Sequence, residues 1–266
     1  MLKDITLGQY FPGQSLIHRL DARYKIIITT VFIVMLFAAE SPVGLIVGGL
    51  FSIGSFMISG IPLKLVMKSL KPVIPVLAIT SVLNMFFYDG ETIWSFWFLE
   101  ITDEGLKNAV FMIVRIVLLI IGTSLLTYTT SPIALTDAIE RLFAPLKRIK
   151  LPVHELAMMM TIALRFIPTL IEETDKIISA QKARGADLES GNLIQRGRAL
   201  IPILIPLIVS SFRRAEELAL AMECRCYKGG EGRTRMKQLK SGAADYAALG
   251  ISVLFLSIVI MLNVIL

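Results

Sequence analysis

The sequence predicts an all-α membrane protein: about five transmembrane helices, with a three-helix cytoplasmic or interfacial region inserted before the last of them. Three observations carry this prediction. The 266 residues are 55% hydrophobic and only 18% charged, where a soluble domain runs nearer one quarter charged. Mean hydropathy is +0.72, and so apolar a chain is also excluded from the disordered class, which is poor in apolar residues and rich in net charge. The basic residues are unevenly placed: of 27 Lys and Arg, nine precede residue 131 and eighteen lie between Arg141 and Lys240. That contrast marks a sizeable insert that does not span.

A helix that crosses a bilayer needs about 20 mainly apolar residues. Residues 26–39 and 43–61 make a first pair, joined by a turn at Glu40, Ser41 and Pro42. Residues 72–88 are a third candidate, 109–128 a fourth, and 250–266, begun near Tyr246, a fifth. The first is short, so Arg23 and Lys25 are expected to snorkel at its entry. No cleavable signal is expected, because the first apolar run lacks a small-residue cleavage pattern. The resulting organisation is a leader with four spans over 1–130, an insert over 131–242 and a last span over 243–266.

Lys and Arg in short loops orient the chain. The leader carries Lys3, Arg19, Arg23 and Lys25, and the loop after the second span carries Lys64, Lys68 and Lys71, so both are expected inside. The loop between spans three and four holds Asp89, Glu91, Glu100, Asp103 and Glu104 and should face outside, with Trp94, Phe96, Trp97 and Phe98 as an aromatic belt. Alternation then places the N-terminus and the insert in the cytoplasm and the C-terminus outside.

The insert carries eighteen basic and twelve acidic residues. Its first helix begins with Ser131 as N-cap and Pro132 at the first helical position and is expected to run to about residue 148. The second runs over 151–184, with Gly185 just past its end, and the third from 193 to 226 or 227. Helices two and three each open apolar (156–171 and 199–212) and close charged. Both apolar parts are short of a span, which favours segments lying along the membrane surface or against partner helices over a re-entrant or spanning pair.

The insert also repeats itself. Residues 172–185 read EETDKIISAQKARG and residues 213–226 read RRAEELALAMECRC. Aligned on Arg184 and Arg225, 41 residues apart, Asp175 matches Glu216 and Ala180 matches Ala221. Each segment closes with an Arg between small residues at a helix C-terminus. Such an Arg can complement the helix dipole or hold anionic lipid. Its small neighbours also suit a rigid, permanently charged peg entering a slot on another protein. Met158, Met159, Met160 and Met222 lie on the same helices, where Met serves either as core filling or as an adaptable contact surface.

Absences narrow the function. There is no GxxxxGK[ST], HExxH or GxSxG, and His18 and His154 have no matching ligand cluster. Cys224 and Cys226 make a poor zinc site and, in the cytoplasm, no disulfide. Arg115 is the ionisable residue deepest within the five spans, where an ion-driven carrier normally places acidic groups. It can snorkel or bond a neighbouring carbonyl, and Asn84 and Asn263 suit interhelical hydrogen bonds.

The leader YFPGQSLIHRLDARYK, residues 10–25, resembles the opening of the transmembrane T component of energy-coupling factor (ECF) transporters, with Ala22 where that family usually has Pro. Ala183-Arg184-Gly185 matches the family's Ala-Arg-Gly motif, whereas Cys224-Arg225-Cys226 keeps the Arg and changes both neighbours. The resemblance implies a non-catalytic scaffold with no cofactor of its own. It would join two cytoplasmic ABC-type ATPases, which bind the ATP, to a small membrane subunit, dedicated or exchangeable, that binds a vitamin or other micronutrient. Nucleic acid is not among the implied partners. The two Arg motifs would dock the ATPases, and Met158, Met159, Met160, Leu164, Pro202 and Pro206 would meet the substrate-binding subunit. The competing readings are a T component dedicated to cobalt or nickel, and an independent secondary carrier that uses Arg115.

Overall fold

A computed structural model describes residues 10–87, 92–96, 99–149, 151–186, 192–229 and 239–265. In chain order the elements begin with α1 (Leu16–Arg19), α2 (Ala22–Ala38), α3 (Pro42–Ser59), α4 (Leu63–Leu70) and α5 (Ile74–Phe87). Two strands, β1 (Thr92–Phe96) and β2 (Leu99–Thr102), lead into α6 (Asp103–Thr129) and α7 (Pro132–Leu142). After a 3-10 turn (Ala144–Ile149) come α8 (Val153–Ala183), α9 (Leu193–Cys224) and α10 (Ala243–Ile265). The described residues divide into two compact units, residues 10–135 with 239–265, and residues 136–229.

The first unit is a helical bundle whose core joins Phe32, Met35, Leu36 and Ala39 of the α2 segment to Leu45, Leu118 and Val259. Two glycines let these helices approach closely. A Cβ on Gly48 would come within 2.6 Å of Leu36, and one on Gly122 within 2.1 Å of the Phe32 ring. Small residues at helix crossings are how apolar helices pack in a membrane, where no hydrophobic force draws them together.

The leader is tied into this unit by polar contacts. Ser15 caps α1 and bonds His18 Nδ1 (2.6 Å), while the other ring nitrogen meets Phe11 O (3.0 Å). Asp21 caps α2 and pairs with Arg23 (2.7 Å). The Asp245 carboxylate accepts from the Asp21 N–H (2.8 Å) and the Gly242 N–H (2.7 Å), which fastens the leader to the start of α10. Lys25, 6% exposed, donates to His18 O (3.2 Å) and Thr129 O (2.9 Å) and so reaches the end of α6. The Asp21 N–H and the Lys25 ammonium each reach an acceptor from another segment, the arrangement that lets polar groups sit inside.

Arg115 has a structural post. It donates to Ala39 O at the C-terminus of α2 and lies 4.6 Å over the Phe111 ring. Asn263 Nδ2 donates to Ala38 O, so two side chains from α6 and α10 supply the orphan carbonyls at that helix end. A cation there also complements the helix dipole. Asn84 bonds Thr80 O on its own helix (2.9 Å) and Met112 Sδ on α6 (3.3 Å).

Several sequence expectations change in detail. The basic segment before the third span is a helix rather than a loop, with Lys64, Lys68 and Lys71 recurring at helical spacing. It meets α5 at a 57° bend, where Pro72 lacks the N–H that a continuous helix needs. The acidic segment that follows carries an antiparallel hairpin pairing Thr92 with Thr102 and Phe96 with Leu99. Trp97 and Phe98, and the side chains of Trp94 and Phe96, lie outside the described residues, so the aromatic belt does too. The helix expected over 131–148 stops at Leu142, and Pro145 follows in the 3-10 turn. Its Ser131 cap is as expected, accepting from the Ala134 N–H (3.3 Å). Among the described residues, α3, α6, α8 and α10 are long and apolar enough to cross a membrane, and the bent α4–α5 pair makes a fifth if it is one broken span. The 17-residue α2 falls just short of that length. On length and composition α8 qualifies where its 16-residue apolar part did not, because the helix already begins at Val153.

Candidate functional site

The two Arg motifs end the two longest helices of the second unit. α8 runs 31 residues through Pro168, and α9 runs 32 through Pro202 and Pro206. Arg184 is the C-cap of α8. Beyond it the Gly185 N–H bonds Lys182 O (3.0 Å) and the Ala186 N–H bonds Gln181 O (3.0 Å). Arg225 is the C-cap of α9, and the bonds repeat: Cys226 N–H to Glu223 O (2.8 Å) and Tyr227 N–H to Met222 O (3.0 Å). Both ends are therefore Schellman motifs, in which the residue after the cap turns left-handed. Gly185 has φ +84° and Cys226 has φ +55°. The Arg backbone is nearly the same in both, φ −84° and ψ 5° for Arg184 and φ −93° and ψ 15° for Arg225. Two different sequences thus present one Arg geometry twice.

This bears out the place of Gly185 just past the end of α8, where a small residue also leaves room for a neighbour's wall. Within the chain the backbone supplies the reason, since a left-handed residue is best a glycine and a Cβ at Gly185 would meet nothing within 4 Å. Cys226 adopts the same conformation with a side chain, at a cost. Ala183, Arg184, Cys224, Arg225 and Cys226 are all exposed. Neither Arg184 nor Arg225 forms a salt bridge among the described residues.

Between these ends the helices touch. Glu173 of α8 accepts hydrogen bonds from Ser210 and from Arg214 of α9. Gln181 Nε2 donates to Pro202 O (3.3 Å). As α8 advances α9 retreats, so the pair is antiparallel and its two Arg ends lie on opposite arms. Eleven residues separate Glu173 from Arg184 and eleven separate Arg214 from Arg225, about 16 Å of helix in each case. The sequence reading missed this Glu173–Ser210–Arg214 cluster. Its signal was present, because opposite charges stand at matched places in the repeat.

The apolar halves are open to the surface. Met159 is 54% and Met160 45% exposed, while Met158 and Leu164 are half-buried. On α9, Pro202 and Pro206 are exposed and sit among Leu204, Ile205, Ile208, Val209 and Phe212, which are all exposed as well. A contiguous apolar surface of this kind on a helix marks contact with lipid or with another protein. His154 Nδ1 meets Glu140 Oε1 at 2.9 Å and ties α8 to α7.

Comparison with known proteins agrees along the whole chain. The family profile described as CbiQ, cobalt transport protein, matches residues 13–236. The energy-coupling factor transporter transmembrane protein EcfT of Ruminiclostridium cellulolyticum is 56% identical over 263 residues, 99% of this chain and 98% of that protein. The protein of the same name from Thermosediminibacter oceani is 57% identical over 247 residues, 93% of each chain. That from Lactococcus lactis subsp. cremoris is 44% identical over 262 residues, 98% of each.

Proposed function

Since this chain belongs to the CbiQ family, and by its likeness over nearly its full length to the transmembrane components of energy-coupling factor transporters, we propose that it is the non-catalytic scaffold that couples ATPases to a substrate-binding subunit. Two cytoplasmic ABC-type ATPases dock on Ala183-Arg184-Gly185 and Cys224-Arg225-Cys226. A small membrane subunit that binds the cargo lies on the apolar halves of α8 and α9, against Met158, Met159, Met160, Leu164, Pro202 and Pro206. Closing and opening of the ATPase pair moves the two arms, and the arms reorient the cargo-binding subunit. In this reading the chain binds no nucleotide and holds no cofactor. The N-terminus and insert are cytoplasmic and the C-terminus is outside.

The observation that carries the reading is the repeated end geometry. Two Arg side chains leave two opposed arms from the same C-cap, equally far from the crossing, which suits two copies of one kind of partner. A guanidinium at such an end is always charged and offers a rigid fork of donors. The structural post of Arg115 speaks against the secondary carrier, whose pathway would need that charge free. The family description names cobalt and the full-length relatives are named for the energy-coupling factor; the cargo proposed, a vitamin or similar micronutrient, rests on the resemblance of the leader alone.

Charge reversal tests the docking role. Arg184→Glu and Arg225→Glu should each weaken ATPase attachment or uncouple hydrolysis from uptake, and the double variant should be worse than either. Uptake that stays coupled in the double variant would reject it.

A further inference from the structure

The contact between α8 and α9 joins equivalent positions of the internal repeat. Arg214 follows Glu173 by 41 residues, the offset that also relates Arg184 to Arg225. Where two copies of a unit are related by a two-fold axis, position i meets j as j meets i, and a position meets its own equivalent only at the axis. One neighbouring contact follows this rule: Ser210 bonds Glu173, and Thr169, the repeat equivalent of Ser210, lines one small cleft together with Arg214. The Glu173–Arg214 pair is therefore the point where the repeat meets its own equivalent.

From this we propose that Glu173, Ser210 and Arg214 form the pivot of the two arms. They are positioning residues that hold the crossing at the midpoint, so that a displacement of one Arg end is matched at the other. The proposal rests on the docking reading above and deepens it. The chemistry suits a pivot. A carboxylate held by a hydroxyl and a guanidinium is fixed in direction by charge-assisted bonds, while both partners stay in reach of solvent, at 21% and 37% side-chain exposure. An ion pair that wet adds little to stability, so its removal should loosen the crossing without unfolding the chain. Glu172 and Lys176 line the same cleft and stay unchanged in the test.

The experiment measures the arms directly. Ser179 and Leu220, repeat equivalents on exposed positions, are replaced by p-acetylphenylalanine and carry ketoxime spin labels in the assembled complex, which leaves Cys224 and Cys226 unchanged, with nucleotide absent or with ATP trapped by vanadate. With Glu173 and Arg214 intact, the distance distribution should be narrow and should shift between the two states. Glu173→Gln should broaden it and abolish the shift with all subunits still bound. The exchange Glu173→Arg with Arg214→Glu should restore both. A Glu173→Gln distribution identical to the parent's, or an exchange variant as broad as Glu173→Gln, would overturn the pivot. Failure of the docking reading looks different: the parent complex would then contain no ATPase.

Discussion

Arg115 and Cys226 are residues whose chemistry is settled by backbone geometry. Arg115 sits in an apolar span because the carbonyls of Ala38 and Ala39 end α2 there and need donors. Arg115→Gln should therefore lower the melting temperature in detergent by a few degrees, corresponding to roughly 1–2 kcal/mol for a partly buried cation at a helix end. Uptake per assembled complex should hold; a selective loss of uptake at unchanged stability would revive the carrier. Cys226 carries a side chain in a left-handed turn at φ +55°, which costs about 1 kcal/mol. Cys226→Gly should raise stability by about that amount and leave ATPase attachment intact, as thermal denaturation and subunit recovery would report. Gly122 works the other way. Leu at this position would drive into Phe32, which is 3% exposed, and should cost about 1–3 kcal/mol or more through overpacking.

The leader, the spans and the two long helices show which elements can be read before folding. Apolar length places α3, α6 and α10, and the Ser131 cap is legible because a short polar side chain before an apolar run satisfies orphan N–H groups; the Asp21 and Ser41 caps appear only in the structure. The leader was legible as a family signature only. That Asp21, Lys25, Thr129 and Asp245 meet is a fact of tertiary packing, between residues more than a hundred positions apart. The α4–α5 bend was missed because the Lys-rich stretch reads equally as a loop or as an amphipathic turn, and the hairpin because β1 and β2 are too short to show a period. At the end of α8 the glycine was legible as the residue past the helix end, and its left-handed backbone bears that out without any partner. The exposed apolar halves of α8 and α9 have their own test. Replacing Met158, Met159 and Met160 with Gln should release the substrate-binding subunit and leave the ATPases attached. Retention of both would make those Met packing residues only.

At the scale of the molecule, α8 and α9 bring two sequence-distant Arg motifs into one symmetric relation, and the central claim is that this relation exists to hold two ATPases. The direct measurement is co-purification from membranes of the tagged chain, wild type beside the Arg184→Glu, Arg225→Glu variant, with subunit stoichiometry read by quantitative mass spectrometry. The account predicts two ATPases per wild-type chain and their loss from the variant, with the substrate-binding subunit retained. Two ATPases still bound to the variant, or none bound to wild type, would contradict it.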